Sequence, residues 1–368
     1  MSSITNLLFS LNILSIYVFF VYRSNILYLL IIGIGLLLSI YYTTHYKRNK
    51  YLICFVLMMF IFLLIKILYY QEISLDLLND FLLFLSQIGM GLHLYYNINS
   101  NKHVNIVYYI LLFIIFIYII NGINFREISS DSSQNYVNYI VLSMTALYIA
   151  INYKFRGKVY ILPACISLFV SILSSGRSGI LASLIMLAGL LFIKYKEKLN
   201  KFTMSVSLIL FSVFSIYIWK QLNVIMYEIM YGFGTKDTFI KDGERSHIIE
   251  DYFRVLDIKK VVFGYDLNTY SFAGYTNLHN SFLSFHKGFG VIGILIIIIF
   301  IIMIIHFLVK KNYVFFLLVI TLLLRSATDT VILVWVYDFI IIYFLINFFE
   351  EIQFRNKHLI LKGRYNEK

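Results

Sequence analysis

The chain is poor in the residues that a water-facing fold needs. Charged residues make up 14% of its 368 positions and acidic residues number only 19, while hydrophobic residues reach 60%. Soluble globular chains carry about 25% charged and roughly 45 to 50% apolar residues. The composition therefore excludes an architecture of soluble domains and predicts that lipid is the main solvent of the folded chain.

Proline and cysteine are also scarce. A single proline excludes collagen-like and proline-rich classes. The two cysteines, Cys54 and Cys165, lie in separate apolar runs without a CxxC partner, which argues against a disulfide framework or a zinc site. The cysteines therefore indicate no metal site, and we expect no cofactor. The net charge of +12 is spread between apolar segments instead of forming one basic stripe, which argues against a nucleic-acid partner.

Long apolar runs recur along the chain, and each can cross about 30 Å of hydrocarbon as a helix. They predict an all-α polytopic membrane protein of about twelve spans. The predicted spans are 5–22, 26–42, 51–70, 81–98, 106–121, 136–152, 159–175, 179–194, 202–219, 289–309, 313–325 and 331–349. The chain is thus divided into transmembrane helices 1 to 9 (1–219), an outer loop subdomain (220–288), helices 10 to 12 (289–349) and a basic tail (350–368).

The distribution of lysine and arginine between the loops sets the predicted orientation. Basic residues resist translocation and collect in cytoplasmic loops. With the N-terminus in the cytoplasm, basic clusters such as 47–50, 154–158 and 194–201 all fall inside, as does the tail 350–368. Both termini are therefore predicted to be cytoplasmic, with residues 220–288 on the outer face.

The predicted outer loop is too long to be a simple connection. Apolar residues repeat with helical spacing at 222–230, which predicts an amphipathic helix on the bilayer surface. A second helical pattern follows Asp242, with Ile248, Tyr252 and Leu256 on one face. We expect this subdomain to contain short helices and to contribute to function.

Two segments at the outer face carry arginine together with small polar residues. The turn 174–179 contains Ser175, and then Arg177 and Ser178 between two glycines, and an arginine fork beside flexible backbone matches a diphosphate. The alternative is an ordinary hairpin with an arginine that extends to the headgroups. Arg245 and His247 begin the second loop helix and are further phosphate contacts, or they belong to a solvated helix terminus.

The end of the outer loop carries a histidine motif. His279 and Asn280 are followed by His286, Lys287 and a glycine-spaced entry into the next span. A histidine just above the headgroups can accept a proton near neutral pH, as a general base must. His286 and Lys287 either contact an acceptor or lie at the headgroups. Arg325, with Asp329, flanks the last outer turn and either contacts phosphate or sugar or forms an interfacial ion pair.

The order of these motifs resembles that of the O-antigen ligase and Wzy-type polysaccharide polymerase superfamily. His279-Asn280 followed by Gly290-x-x-Gly293 resembles its His-Asn motif before a glycine-spaced helix. The turn 175–179 resembles its Ser-x-Ser-Arg element, and 242–245 resembles the arginine segment that begins the loop helix. The resemblance extends over about residues 160–300.

The resemblance implies a GT-C-like membrane glycosyltransferase that needs no metal. It would move a glycan from undecaprenyl diphosphate to an acceptor at the outer face of the cytoplasmic membrane. His279 would be the base and Arg177 and Arg245 would stabilise the leaving diphosphate. Asn280, Ser175, Ser178, His247, His286, Lys287 and Arg325 would bind substrate.

Several functions remain open at this stage. Within the superfamily, the resemblance favours repeat-unit polymerisation, for O-antigen, capsule or exopolysaccharide, over ligase-type transfer of a finished glycan. The expected partners are the lipid-linked oligosaccharide donor and acceptor and the bilayer, with a chain-length regulator and a flippase as further candidates. A lipid-linked oligosaccharide flippase or transporter is the alternative from another class, since about twelve spans are common there too.

Overall fold

The computed structural model describes residues 2–45, 50–70, 75–97, 99–123, 125, 135–174, 176–195, 242–265, 271–275, 277–332 and 336–366. These residues contain fourteen α-helices and a single isolated β-bridge. The helices are α1 Ser2–Tyr22, α2 Asn25–His45, α3 Lys50–Tyr70, α4 Leu75–Tyr96, α5 Ser100–Ile120, α6 Asn135–Arg156, α7 Leu162–Leu173, α8 Arg177–Tyr195, α9 Asp242–Arg254, α10 Ile258–Phe263, α11 Ser281–Phe289, α12 Val291–Val309, α13 Tyr313–Ala327 and α14 Asp338–Asn366.

Seven of the described helices are long and apolar enough to cross a membrane: α1, α2, α3, α4, α5, α8 and α12. The shorter helices α7 and α13 are also apolar. An all-α membrane protein, as predicted from the composition, is therefore confirmed. The predicted ninth span, 202–219, and the surface helix at 222–230 lie outside the described residues, and the total of twelve spans stays a prediction.

Helices α6 and α14 form the centre of the bundle. Almost every residue of α6 between Val137 and Asn152 is buried, and so is almost every residue of α14 between Asp338 and Phe348. A helix enclosed by other helices does not face lipid and can carry polar side chains. Asn138, Ser143 and Thr145 are accordingly buried within α6.

One predicted boundary differs from the structure. The last span was predicted at 331–349, but α14 begins at Asp338 and continues without a break to Asn366, through the predicted tail. Asp338 therefore lies at a helix N-terminus, where the macrodipole stabilises a carboxylate. The outer subdomain was predicted to run to 288 and to contain short helices, and the structure has a short helix at Ser281–Phe289 that Gly290 separates from α12.

Helix ends gather on two opposite faces of the bundle. We call one the His279 face, which carries Arg23, Lys66, Arg177, His279 and Asp329. Lys66 near the end of α3 reaches the backbone of Tyr265 and Gly288, and Gly179 near the start of α8 lies against Asn138 near the start of α6.

The other is the Lys154 face. Lys154 at the end of α6 donates a hydrogen bond to Asn347 at 3.0 Å, and Tyr96 at the end of α4 donates one to Glu350 at 2.8 Å. His306 at the end of α12 is 2.8 Å from Glu351. The alternation of helix ends between the two faces is the one that successive membrane crossings require.

The segments α9 to α11 form a small cluster on the His279 face. Ile248 and Tyr252 of α9 pack with Tyr265, Phe272 and Leu278 in a core separate from that of the bundle. The helical pattern predicted after Asp242 is thus confirmed. Because Leu278 immediately precedes His279, this small core fixes the chain just before the predicted catalytic residue.

Candidate functional site

His279 lies in a strained turn, two residues before α11 begins at Ser281. Its φ is +48°, a left-handed conformation that is uncommon outside glycine, although histidine is among the residues enriched there. Its backbone N–H donates to Asn277 Oδ1 at 2.9 Å. Its side chain is 19% exposed, so the imidazole is held by the fold and still reaches the surface.

Asn280 caps α11 and ties it to α13. Its Oδ1 accepts hydrogen bonds from the backbone N–H groups of Phe282 and Leu283 at 3.0 and 3.1 Å, as an N-cap does. Its Nδ2 donates to the carbonyl of Ala327 at 3.0 Å. Both ends of this amide are therefore used to position the neighbouring histidine against the end of α13.

Ser281 and Asn277 complete the connection between α11 and the turn after α13. Ser281 Oγ donates to the carbonyl of Asp329 at 2.8 Å and accepts from the N–H groups of Val331 and Ile332. Asn277 Oδ1 also accepts from the Thr330 hydroxyl at 2.8 Å. The turn 328–332 is thereby fixed beside His279.

Asp329 is the centre of the electrostatics of this site. Its Oδ1 is 3.8 Å from His279 Nδ1, and its Oδ2 accepts from Arg325 Nη2 at 3.2 Å. Burial alone raises the pKa of this carboxyl, but His279, Arg325 and the Thr330 N–H outweigh burial and lower the pKa to about 2. Asp329 is therefore a carboxylate at any physiological pH, with a cation on one side and an imidazole on the other.

The sequence left two alternatives open for Arg325, a contact to phosphate or sugar and an ion pair with Asp329. The structure contains the ion pair. Arg325 is only 1% exposed and the ion pair is buried at the end of α13. In a buried ion pair, separation of the partners would leave each charge buried and uncompensated, so the paired arrangement is strongly favoured. Arg325 thus positions Asp329, and the carboxylate in turn faces the imidazole.

Arg177 lies at the same level of the bundle. Helices α8 and α13 pack against each other, and a Cβ on Gly189 would meet the side chain of Leu317. Arg177 is twelve positions before Gly189, and Asp329 is twelve positions after Leu317. Since the helices are antiparallel and rise 1.5 Å per residue, both residues lie about 18 Å from that contact, towards the same face.

Two further groups extend the site beyond α13. The guanidinium of Arg23, just after α1, lies 5.5 Å from the ring centre of Tyr136 at the start of α6. The phenol of Tyr136 is also within electrostatic range of Asp329 and Arg325. The charged site therefore spans α1, α6, α11 and α13.

The loop helix α9 carries two of the predicted site residues, Arg245 and His247. Arg245 lies in the first turn of α9, and its side chain lies outside the described part of the chain. His247 has a side chain that is 70% exposed and faces Glu250 at 3.6 Å. His247 is therefore turned away from the core on which His279 depends.

His286 and Lys287 are buried in the attachment of the outer segment. Tyr252 hydroxyl and His286 Nδ1 are hydrogen-bonded, and His286 Nε2 lies 3.2 Å from the carbonyl of Val261. Burial lowers the pKa of both His286 and Lys287. Lys287 Nζ lies 5.6 Å from the ring centre of Phe272. The structure gives both side chains a packing role, and their contact with an acceptor stays a prediction.

Lys66 corrects one sequence interpretation. Its position near the end of a span predicts a lysine that extends to the headgroups, but Lys66 is 5% exposed. Its Nζ donates to the carbonyls of Gly288 at 2.6 Å and Tyr265 at 3.2 Å. These long-range contacts cannot be seen in the sequence, and they fasten the outer segment to α3.

The remaining predicted residues are placed as follows. Ser178 lies in the first turn of α8 beside Arg177 and is partly buried, and Ser175 lies outside the described residues. Tyr265, which the sequence offers for an interfacial aromatic belt or for stacking on sugar, is fully buried and donates to the Tyr252 carbonyl at 2.8 Å. Its ring fills the small core and cannot reach a sugar.

The sequence offered Asp329 either as a contact to phosphate or sugar together with Arg325 or as the partner of Arg325 in an ion pair. The spacing of four residues between Arg325 and Asp329 at a helix end was a usable signal for the ion pair. The approach of Asp329 to His279 had no such signal, because the two residues are fifty positions apart.

No protein-family model, curated protein or solved structure matches the chain. Among the described residues, no group of three His, Cys, Asp or Glu side chains is arranged to hold a metal ion. The metal independence that the family resemblance implies stays a prediction.

Proposed function

We propose that the protein is an oligosaccharide repeat-unit polymerase. It transfers a growing glycan from undecaprenyl diphosphate to the next lipid-linked repeat at the outer face of the bacterial cytoplasmic membrane. The observation that carries the proposal is the pairing of His279 with the ionised Asp329, at the membrane-level end of the bundle where Arg177 also lies. The order of sequence motifs and the apolar helices support it.

The proposed reaction exchanges one bond at the anomeric carbon. The acceptor hydroxyl loses its proton to Nε2 of His279 as its oxygen attacks that carbon, and the bond to the diphosphate oxygen breaks. Asp329, facing Nδ1, holds the ring and stabilises the imidazolium that forms, as a buried carboxylate does in other histidine bases. The departing diphosphate takes the electron pair, and Arg177 and Arg245 offset its charge.

Localisation and partners follow from this proposal. The His279 face is the outer face, both termini are cytoplasmic, and the donor and acceptor diffuse in the outer leaflet of the inner membrane. A flippase would deliver the repeats and a chain-length regulator would contact the polymerase. The Lys154 face would then be cytoplasmic, in agreement with the basic loops at 154–158 and 194–201.

Glycan analysis of a deletion strain tests the reaction class. Loss of long chains, with single repeats still attached to the surface acceptor, is the expected result. Loss of all attached glycan would instead indicate a ligase. Accumulation of lipid-linked repeats on the inner leaflet would indicate a flippase and contradict the proposal.

A further inference from the structure

An apolar groove lies between α1, α5 and α6, next to the His279 face. It has a cavity volume of about 270 Å³ and is lined by residues that include Tyr17, Leu111, Ile114, Tyr118, Val137 and Ile140. An apolar cavity of about 150 Å³ accommodates benzene, so this one has space for roughly two five- or six-carbon units. Its rim residues Val18 and Tyr22 are exposed on the outside of the bundle, so the groove opens sideways towards lipid.

Arg23 lies at the end of this groove. Its φ is +45°, and its N–H donates to the Phe19 carbonyl at 2.9 Å, which ends α1 in a left-handed cap. The cap turns the side chain back over α1, with the guanidinium 5.6 Å from the Phe19 ring centre and 5.5 Å from that of Tyr136. Arg23 directly follows Tyr22 of the groove lining, and Tyr136 lies one turn before Ile140, another lining residue, so the cation stands beside the end of the groove, where the head group of a bound tail would lie.

This cation is on a different side of α6 from Arg177. Tyr136 faces Arg23, whereas Asn138 faces Gly179 at the start of α8. Residues two apart on a helix point about 200° away from each other. Arg23 and Arg177 therefore flank α6, and the electrostatic contacts of Tyr136 with Asp329 and Arg325 connect the Arg23 side to His279.

We infer that the groove between α1, α5 and α6 binds the isoprenoid chain of a second polyprenyl-diphosphate-linked substrate, with Arg23 at its diphosphate. The inference rests on the proposed function, because a polymerase must hold two lipid-linked glycans at once. An apolar groove with an arginine beside its end favours an amphiphile with an anionic head, and the guanidinium fork suits a diphosphate. One substrate would lie on each side of α6, with His279 between their sugar ends.

Photolabelling of the purified protein in phosphatidylcholine nanodiscs tests the site without turnover. The probe is a sugar-free undecaprenyl diphosphate with a diazirine in its chain, and the labelled peptides are located by mass spectrometry. We expect label on α1 and α5 near Val18 and Ile114, with competition by unlabelled undecaprenyl diphosphate but not by phosphatidylglycerol. Arg23→Gln should lower this labelling about tenfold, the loss of one charge-assisted contact, and Arg23→Lys should restore part of it.

Matched variants separate the groove from general effects on folding. Ile114→Trp fills the groove and should also lower the labelling, whereas Ile298→Trp on the exposed side of α12 should not. Lys102→Gln, an exposed cation on the opposite face, controls for charge. Labelling that maps elsewhere, or that phosphatidylglycerol displaces equally well, would overturn the inference. Labelling of the groove by a protein that never extends a glycan would uphold the site and contradict the proposed polymerase.

Discussion

At the scale of single residues, Asp329 decides what the site can do. It faces His279 Nδ1 at 3.8 Å and Arg325 at 3.2 Å, and it is almost completely buried. His279 and Arg325 keep the carboxylate ionised, and the carboxylate faces Nδ1 of the imidazole. One acidic side chain thus couples the fold of α13 to the position of His279.

Acid should destabilise the protein through Asp329. The pKa of this carboxyl is about 2 in the folded state against an ordinary 3.8, so the folded state favours the charged form. That preference contributes about 2 kcal/mol of stability above pH 4, and the contribution is lost as the pH falls towards 2. Thermal unfolding in detergent should show this loss in the wild type. Asp329→Asn should be less stable at pH 6 and should lack this part of the pH dependence. An identical acid profile in the two proteins would refute the assignment.

At the scale of elements, the break between α11 and α12 sets the position of the whole outer segment. Gly290 has φ of +49°, and a Cβ there would lie 2.1 Å from the carbonyl of Val262. A residue with a side chain at this position would therefore have to adopt an unfavourable left-handed backbone conformation, and its Cβ would also clash with the end of α10. The close approach of α10 to this break requires glycine.

Gly290→Ala should strongly reduce the yield of folded protein, with a cost of at least 1 to 3 kcal/mol from the backbone conformation alone. Gly33→Ala is the matched control, because a Cβ at Gly33 in α2 meets nothing within 4 Å. This control should be neutral or slightly stabilising, since alanine favours helix. Fluorescence-detected size exclusion of both variants measures the difference, and equal yields would contradict the described packing.

Lys66 fixes the same outer segment from the side of α3. Lys66→Met should leave the buried carbonyls of Tyr265 and Gly288 without their donor, at a cost of about 1 to 3 kcal/mol for each. We expect faster hydrogen exchange in 258–265 and 281–289, with the rest of the bundle unchanged. Lys194→Met, a lysine on the opposite face, is the control. Unchanged exchange in the outer segment would show that Lys66 does not hold it.

The positions of several helices can be predicted from the sequence, whereas the contacts between distant segments cannot. Apolar runs and helix-starting residues predicted α1, α2, α8 and α9, because length and periodicity are local signals. The late start of α14 at Asp338 was missed, since residues 331–337 are as apolar as a span, whereas Val331 and Ile332 are held in a turn by Ser281. Pairs such as Lys66 with Gly288 or His279 with Asp329 depend on packing between distant segments, and no local pattern encodes them.

At the scale of the whole molecule, the polar groups separate into two faces with an apolar bundle between them. The His279 face gathers Arg23, Arg177, Arg325 and the strained histidine, whereas the Lys154 face gathers Tyr96, Glu350 and Glu351 around lysine and histidine. Sidedness of this kind suits chemistry on a lipid-anchored substrate at one leaflet.

Cysteine labelling tests the orientation of these faces. In a background with Cys54 and Cys165 replaced by serine, Lys259→Cys on the His279 face should react with an impermeant maleimide in intact cells. Lys158→Cys, in the exposed loop between α6 and α7, should react only after permeabilisation. The reverse pattern would place the site at the cytoplasmic leaflet and exclude the proposed substrate.

In the proposed reaction, His279 removes the proton from the acceptor hydroxyl. The most direct test is glycan extension by the purified protein on undecaprenyl-diphosphate-linked repeats in liposomes that contain chelator. We expect the wild type and the distant control His45→Gln to form a ladder of products at similar rates. His279→Gln, at equal folded yield, should be slower by about 10² to 10⁴, the usual contribution of a general base. A folded His279→Gln protein that extends glycan at the rate of the wild type would contradict the account.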